Sequence, residues 1–180
     1  MSAQPYLASQ LLATLDQGRD LLASIDPELY RKSPQPIASS TIGAHVRHVL
    51  DGLGCLAQGA PEGAIDYDRR ERDERIEEDP RAALARLDQI GTALAALEGQ
   101  ETRAVRARSD VPAELGPDAG WSSSTLGREI LFGLSHTIHH FALIAMILRF
   151  LGGEPPEGFG VAPSTLRYWK EVGRCAPLVG

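Results

Sequence analysis

Apolar residues recur near the 3.6-residue period of an α-helix in four stretches of the chain, each bounded by residues that start or stop helices. The first runs from about Pro5 to Ile25 and is closed by Asp26-Pro27. The second starts after Ser39-Ser40, carries Ile42, Val46, Val49, Leu53 and Leu56 on one face, and ends before Gly59. The third opens at Asp79-Pro80, an N-cap acid followed by proline at the first helical position, and stops at Gly99. The fourth follows the capping residues Ser122-Ser123-Ser124 and ends at Gly152-Gly153. The pattern predicts an all-α helical bundle.

The connections are as informative as the helices, because a short loop makes antiparallel neighbours and a long one can return the chain to its starting end. Residues Gly59 to Glu78 and Gln100 to Gly120 are long enough for such crossovers. Within the second, the alternation Thr102-Arg103-Ala104-Val105-Arg106-Ala107-Arg108 predicts a short extended stretch. After the bundle, Phe159 to Pro163 leads into a short C-terminal helix at Ser164 to Val172. With 180 residues, no internal repeat and no low-complexity linker, one domain over 1–180 is expected.

Charge narrows the choice of partners. A net charge of −6 argues against nucleic acid, whose binders gather Lys and Arg into a stripe that releases counterions. Here the arginines alternate with acids, as in Asp68-Arg69-Arg70-Glu71-Arg72-Asp73-Glu74-Arg75, a run that reads as solvated or internally paired. Cys55 and Cys175 form no CxxC pattern, so neither a disulfide scaffold nor a thiolate zinc site is expected, and a reducing cytoplasm fits. The start Met1-Ser2-Ala3-Gln4-Pro5 lacks the features of a signal peptide. Ile130 to Leu151 approaches the roughly 20 apolar residues that span a bilayer. It carries His136, His139, His140 and Arg149, which are costly in lipid, so a buried helix with no membrane partner is expected.

The five histidines fall into two clusters: His45 with His48 on the second helix, and His136, His139 and His140 on the fourth. Residues four apart on a helix share a face about 6 Å apart along the axis, so His136 and His140 point toward one spot and can present two imidazoles to one metal ion. The same stripe holds Thr125, Glu129, Phe132, Leu143, Ile147 and Leu151, which turns it inward. His139 is displaced toward Arg128, Ser135 and Met146, at the rim. A third ligand must come from another element. Spacing leaves His45 and His48 both open, with the apolar face of the second helix centred nearer His45. Glu129, roughly 10 Å along the helix from His136, falls in the cavity wall, and Cys55, equally far from His48, falls in the core.

The segments Thr41-Ile42-Gly43-Ala44-His45-Val46-Arg47-His48-Val49-Leu50-Asp51 and Ser135-His136-Thr137-Ile138-His139-His140-Phe141-Ala142 resemble the two motifs of the DinB/YfiT-like superfamily. The likeness implies a four-helix bundle of up-down-down-up connectivity, often dimeric, with a three-histidine site for zinc, nickel or another divalent ion such as iron. It also implies His48, His136 and His140 as the ligands, in place of the wheel's preference for His45. Asp51, His45 and His139 become candidates for orienting a ligand or handling protons.

Three imidazoles leave a coordination position open for water or substrate, as a reactive site needs. Some members of the superfamily are thiol-dependent transferases or isomerases, which implies a metal-dependent thiol S-transferase or hydrolase, with a low-molecular-weight thiol as cosubstrate. The alternatives are a metal-binding or stress-response protein without turnover, and a structural bundle whose histidines are satisfied by hydrogen bonds. No thiol-binding signature stands in the Tyr67 to Arg70 run or the Phe159 to Thr165 tail, so the substrate is left undetermined. The apolar excess of the fourth helix predicts a homodimer or a covering C-terminal helix.

Overall fold

Thr41 opens the helix that carries the first histidine pair: its hydroxyl accepts a hydrogen bond from the Ala44 amide, satisfying a donor with no partner inside the helix. That helix, α3, runs Ile42–Glu62 and closes at Gly63, which adopts the left-handed conformation (φ 70°) that favours glycine. The computed structural model describes residues 7–116 and 118–173. The expected helix start at Pro5 and Cys175 lie outside them.

Before α3 come α1 (Leu7–Ser24) and the short α2 (Pro27–Arg31). After it follow β1 (Ala64–Asp66), α4 (Glu74–Glu78), α5 (Pro80–Ala95), β2 (Ala104–Arg108), β3 (Ser122–Thr125), α6 (Leu126–Phe150) and α7 (Pro163–Glu171). The long helices form a cycle of neighbours, α1 packing on α5 and α6, and α3 packing on the same two. Between them lie Leu11, Leu15, Ile42, Leu50, Leu56, Leu87, Leu126, Ile130 and Ile144, all essentially inaccessible to solvent. Each such side chain contributes roughly 1.5–3 kcal/mol of transfer free energy, so this interior sets the helix positions.

The four expected helices are present, with three corrections. The second does not stop before Gly59 but continues to Glu62, with Pro61 in its last turn. Gly59 serves a close approach instead, since a Cβ there would stand 2.5 Å from the Ala64 carbonyl oxygen. Asp26-Pro27 closes one helix and also starts another, because the Asp26 carboxylate accepts from the Glu28 amide to cap α2. Finally, the chain is predominantly helical rather than all-α. The two crossovers and Ser122–Thr125 build a three-stranded sheet in the order β1-β2-β3, with β1 and β2 parallel and β2 and β3 antiparallel. Only β2 alternates in a way that sequence pattern detects.

By length and composition α6 could cross a membrane. Here it is a core helix along the side that carries Ile130, Leu134, Thr137, Phe141, Ile144 and Leu148, all buried.

Candidate metal centre

Helix α6 supplies a stripe of three rings four residues apart. Phe132 stacks on His136 with centroids 5.8 Å apart, and His136 lies edge-on to His140 at 4.5 Å. Helix α3 meets this stripe with His48, whose ring centroid is 4.9 Å from that of His136 and 4.6 Å from that of His140. Gly133 permits the approach of the two helices, because a Cβ there would already stand 3.0 Å from Leu53 Cδ2.

One ligand nitrogen from each of His48, His136 and His140 lies within 4.8 Å of the others. The Nε2 atoms of His48 and His136 are 3.0 Å apart. Two nitrogens each about 2.0–2.1 Å from a tetrahedral zinc ion would be separated by roughly 3.4 Å, so the donor set fits a divalent ion with little movement. The rings are also in the protonation state a ligand needs. Burial lowers the pKa of His48, with Arg70 adding to the effect, and lowers that of His136, with His48 adding to it. His140, desolvated and surrounded by the other rings, is lowered to about 3. Neutral imidazoles keep the lone pair that binds an ion.

The remaining candidates take different positions. His45 places its Nδ1 3.0 Å from His140 Nδ1, leaving Nε2 of His140 for an ion. Its own pKa is lowered by burial. His139 is exposed, with its ring 5.1 Å from that of His140 in an edge-on arrangement. Asp51 is half-buried and not among the residues lining the histidine cavity. It shares a small crevice with Cys55, Arg69, Glu71 and Arg86, where burial raises its pKa and the Arg72 backbone partly offsets this. Cys55 is a free buried thiol pushed up to about 11, chiefly by burial.

Glu129, expected in the cavity wall, stands behind it. Only 8% exposed, its carboxylate accepts from Tyr67 Oη at 2.9 Å and from Ser124 Oγ at 2.5 Å. The wall itself is Tyr67, whose phenol burial and the Glu129 charge hold far above its ordinary pKa and therefore protonated. The rise along α6 explains the difference, since two turns separate Glu129 from His136 and direct it toward β3.

Beside the histidines opens a cavity of about 220 Å³, lined by His48, His136, Val49, Leu53, Leu56 and Phe132, with Gly52 and Gly133 leaving the space clear. Its other wall comes from the two crossovers: Tyr67 and Arg70 from the first, Ser109 and Asp110 from the second. Asp68 ties these segments together by accepting from the amides of Asp110 (2.8 Å) and Val111 (3.2 Å). Below them Asp66 pairs with Arg108 at 2.6 Å across β1 and β2, which lowers the Asp66 pKa. Tyr67, Arg70, Ser109 and Asp110 were not singled out by sequence as site residues. The one available signal was an aromatic residue leading a run otherwise made of charges. That run divides in the structure, with Arg70 facing the cavity while Glu71 pairs with Arg86 and Asp73 with Arg75.

A stretch of 112 residues, 59% of the chain, is 32% identical to FK506-binding protein 5 of Rhizopus delemar (strain RA 99-880) and covers 28% of that protein. The chain therefore spans less than a third of the length of this relative. Residues 10–144, which include both histidine clusters, match the family model of the DinB superfamily, and the chain belongs to that superfamily.

Proposed function

We propose that this protein is a divalent-metal-dependent enzyme of the thiol S-transferase or hydrolase type, with zinc or nickel held by His48, His136 and His140 and iron as a further option. The observation that carries this reading is the meeting of three neutral imidazoles from two helices at the end of an open, largely apolar cavity. A bound divalent ion supplies Lewis acidity and makes a water or thiol nucleophilic near neutral pH.

Around that centre the side chains have separable roles. His45 fixes the His140 ring through its Nδ1 contact, as the outer partner of a metal-bound histidine commonly does. Tyr67, its proton held by Glu129, gives the cavity a neutral hydroxyl wall. Phe132, Leu53 and Leu56 exclude water from the body of a bound small molecule. His139, exposed beside His140, is placed to exchange protons with solvent, whereas Asp51 acts at most through α3. The same reading takes the chain as one cytoplasmic domain in which α1, α3, α5 and α6 form the up-down-down-up bundle. The exposed Leu131, Met146 and Phe150 of α6 support a homodimer.

A second reading has one observation in its favour: nitrogens 3.0 Å apart also satisfy the geometry of an imidazole hydrogen bond. In that case the histidines need no ion. Elemental analysis of untagged protein separates the two, with His48→Ala, His136→Ala and His140→Ala as comparisons. About one ion per chain, lost in each variant, is expected. Absence of a stoichiometric ion after reconstitution with zinc, nickel and iron would leave the hydrogen-bonded cluster as the correct description.

A further inference from the structure

Among the residues lining the histidine cavity, Arg70 is the one basic side chain other than the histidines. It is half-buried, and its Nε donates to the Tyr67 carbonyl at 3.1 Å, which fixes the plane of the guanidinium. Arg47, Arg86 and Arg108 are by contrast engaged by acids: Arg47 by Glu77, Arg86 by Glu71, Arg108 by Asp66. Among the described residues no carboxylate pairs with Arg70, and its terminal nitrogens make no hydrogen bond. A half-buried guanidinium with a free planar fork beside an apolar cavity matches a carboxylate in shape and charge. The one acid in the lining, Asp110, sits at the exposed mouth, where its carboxylate accepts from the Ser109 hydroxyl.

We infer that Arg70 is an anion-anchoring subsite, and that the cavity takes a small amphipathic organic anion. Its carboxylate meets Arg70, its apolar body lies between Leu53, Leu56 and Phe132, and its reacting end faces the histidines. The last clause rests on the three-histidine reading, whereas the anion subsite stands with or without an ion. The cavity volume of about 220 Å³ suits a body of about one aromatic ring with a short side chain.

The test is calorimetric titration of the full chain, metal-free and zinc-loaded, with 3-phenylpropionate and its uncharged twin 3-phenylpropionamide. The metal-free wild type should bind the carboxylate at least about tenfold more tightly than the amide. Arg70→Gln should reduce the carboxylate to the level of the amide, and Arg70→Lys should keep part of the preference. A wild type that does not bind 3-phenylpropionate at millimolar concentration or shows no preference for it overturns the inference, as does a preference that survives Arg70→Gln. Zinc stoichiometry on the same samples keeps the two readings apart. Protein that takes up no zinc yet prefers the carboxylate through Arg70 retains the subsite and loses the metal centre, and protein that binds zinc without that preference does the reverse.

Discussion

The lowered histidine pKa values make a quantitative prediction about how zinc binding depends on pH. An ordinary imidazole of pKa about 6.5 is roughly 90% neutral at pH 7.5 and roughly 10% neutral at pH 5.5, so each one costs about tenfold in affinity over that interval. Three ordinary histidines would cost about a thousandfold, because the ion must displace every proton. In this site His140 is already neutral throughout, its pKa lowered to about 3 by burial and by the surrounding rings. It contributes nothing to the loss, which leaves at most about a hundredfold for the other two. His48 and His136 are themselves lowered by burial, which reduces the figure further.

The assay is competition for zinc against a chromophoric chelator whose own protonation is known, at half-unit steps from pH 7.5 to 5.5. The expected plot of log affinity against pH has a slope well below 2. A slope approaching 3 below pH 6, or a thousandfold loss across the interval, would show that the rings titrate as if solvated and would refute the argument from desolvation.

Metal-free protein should become less stable over the same interval. Four histidines have folded-state pKa values below 6.5, so the unfolded chain binds more protons, and their contribution is present above pH 6.5 and lost as pH falls. The rings are only half-buried, so the effect is discounted to about 1–2 kcal/mol, a fall in Tm of roughly 2–8 °C; an equal or higher Tm at pH 5.5 would contradict it. Gly43→Ala would place a Cβ 2.1 Å from the Glu77 carbonyl oxygen and 2.8 Å from the Tyr30 ring, both on firmly packed elements. It should cost about 3 kcal/mol in urea unfolding. Gly52→Ala, on the same helix with nothing within 4 Å, should be neutral or stabilise by about 0.5–1 kcal/mol. Matching outcomes for the two glycines would refute the packing described for α3. Tyr67→Phe removes one donor from the buried Glu129 carboxylate and should cost about 1–3 kcal/mol without changing zinc stoichiometry. Loss of zinc in that variant would mean that Tyr67 belongs to the metal centre rather than to the wall.

The helices were legible because burial imposes a period on sequence. Val46, Val49, Leu53 and Leu56 are buried along α3 as their spacing predicts, and His136 and His140 share a face as their separation predicts. Choosing between His45 and His48 was beyond spacing, since both flank the same stripe and both reach the α6 rings. The separation lies in which ring each reaches: His48 meets His136 and His140, His45 meets His140. Gly59 and Asp26-Pro27 misled for a related reason. A glycine wanted for close approach looks like a glycine that ends a helix, and a cap that begins one helix looks like the end of another.

The least legible part is the wall of the cavity away from the two helices. Tyr67, Arg70, Ser109 and Asp110 come from two segments about 40 positions apart in the chain, joined by the Asp68 carboxylate and the pairing of β1 with β2. The alternation that marks β2 stops before Ser109 and Asp110, and β1, a strand of three residues, is too short to announce itself. The two halves of the site therefore answer to different constraints. The histidine half depends on helix packing through Gly133 and Leu53, so it tolerates little. The crossover half depends on one carboxylate and a small sheet, so its residues can change while the three histidines stay fixed. A substitution such as Asp68→Ala should then loosen Tyr67, Arg70 and Asp110 together and weaken ligand discrimination while zinc stoichiometry stays at the wild-type value. Parallel loss of zinc and of discrimination in that variant would mean that the loops hold the histidines, and that metal holding and ligand choice are not separable in this site.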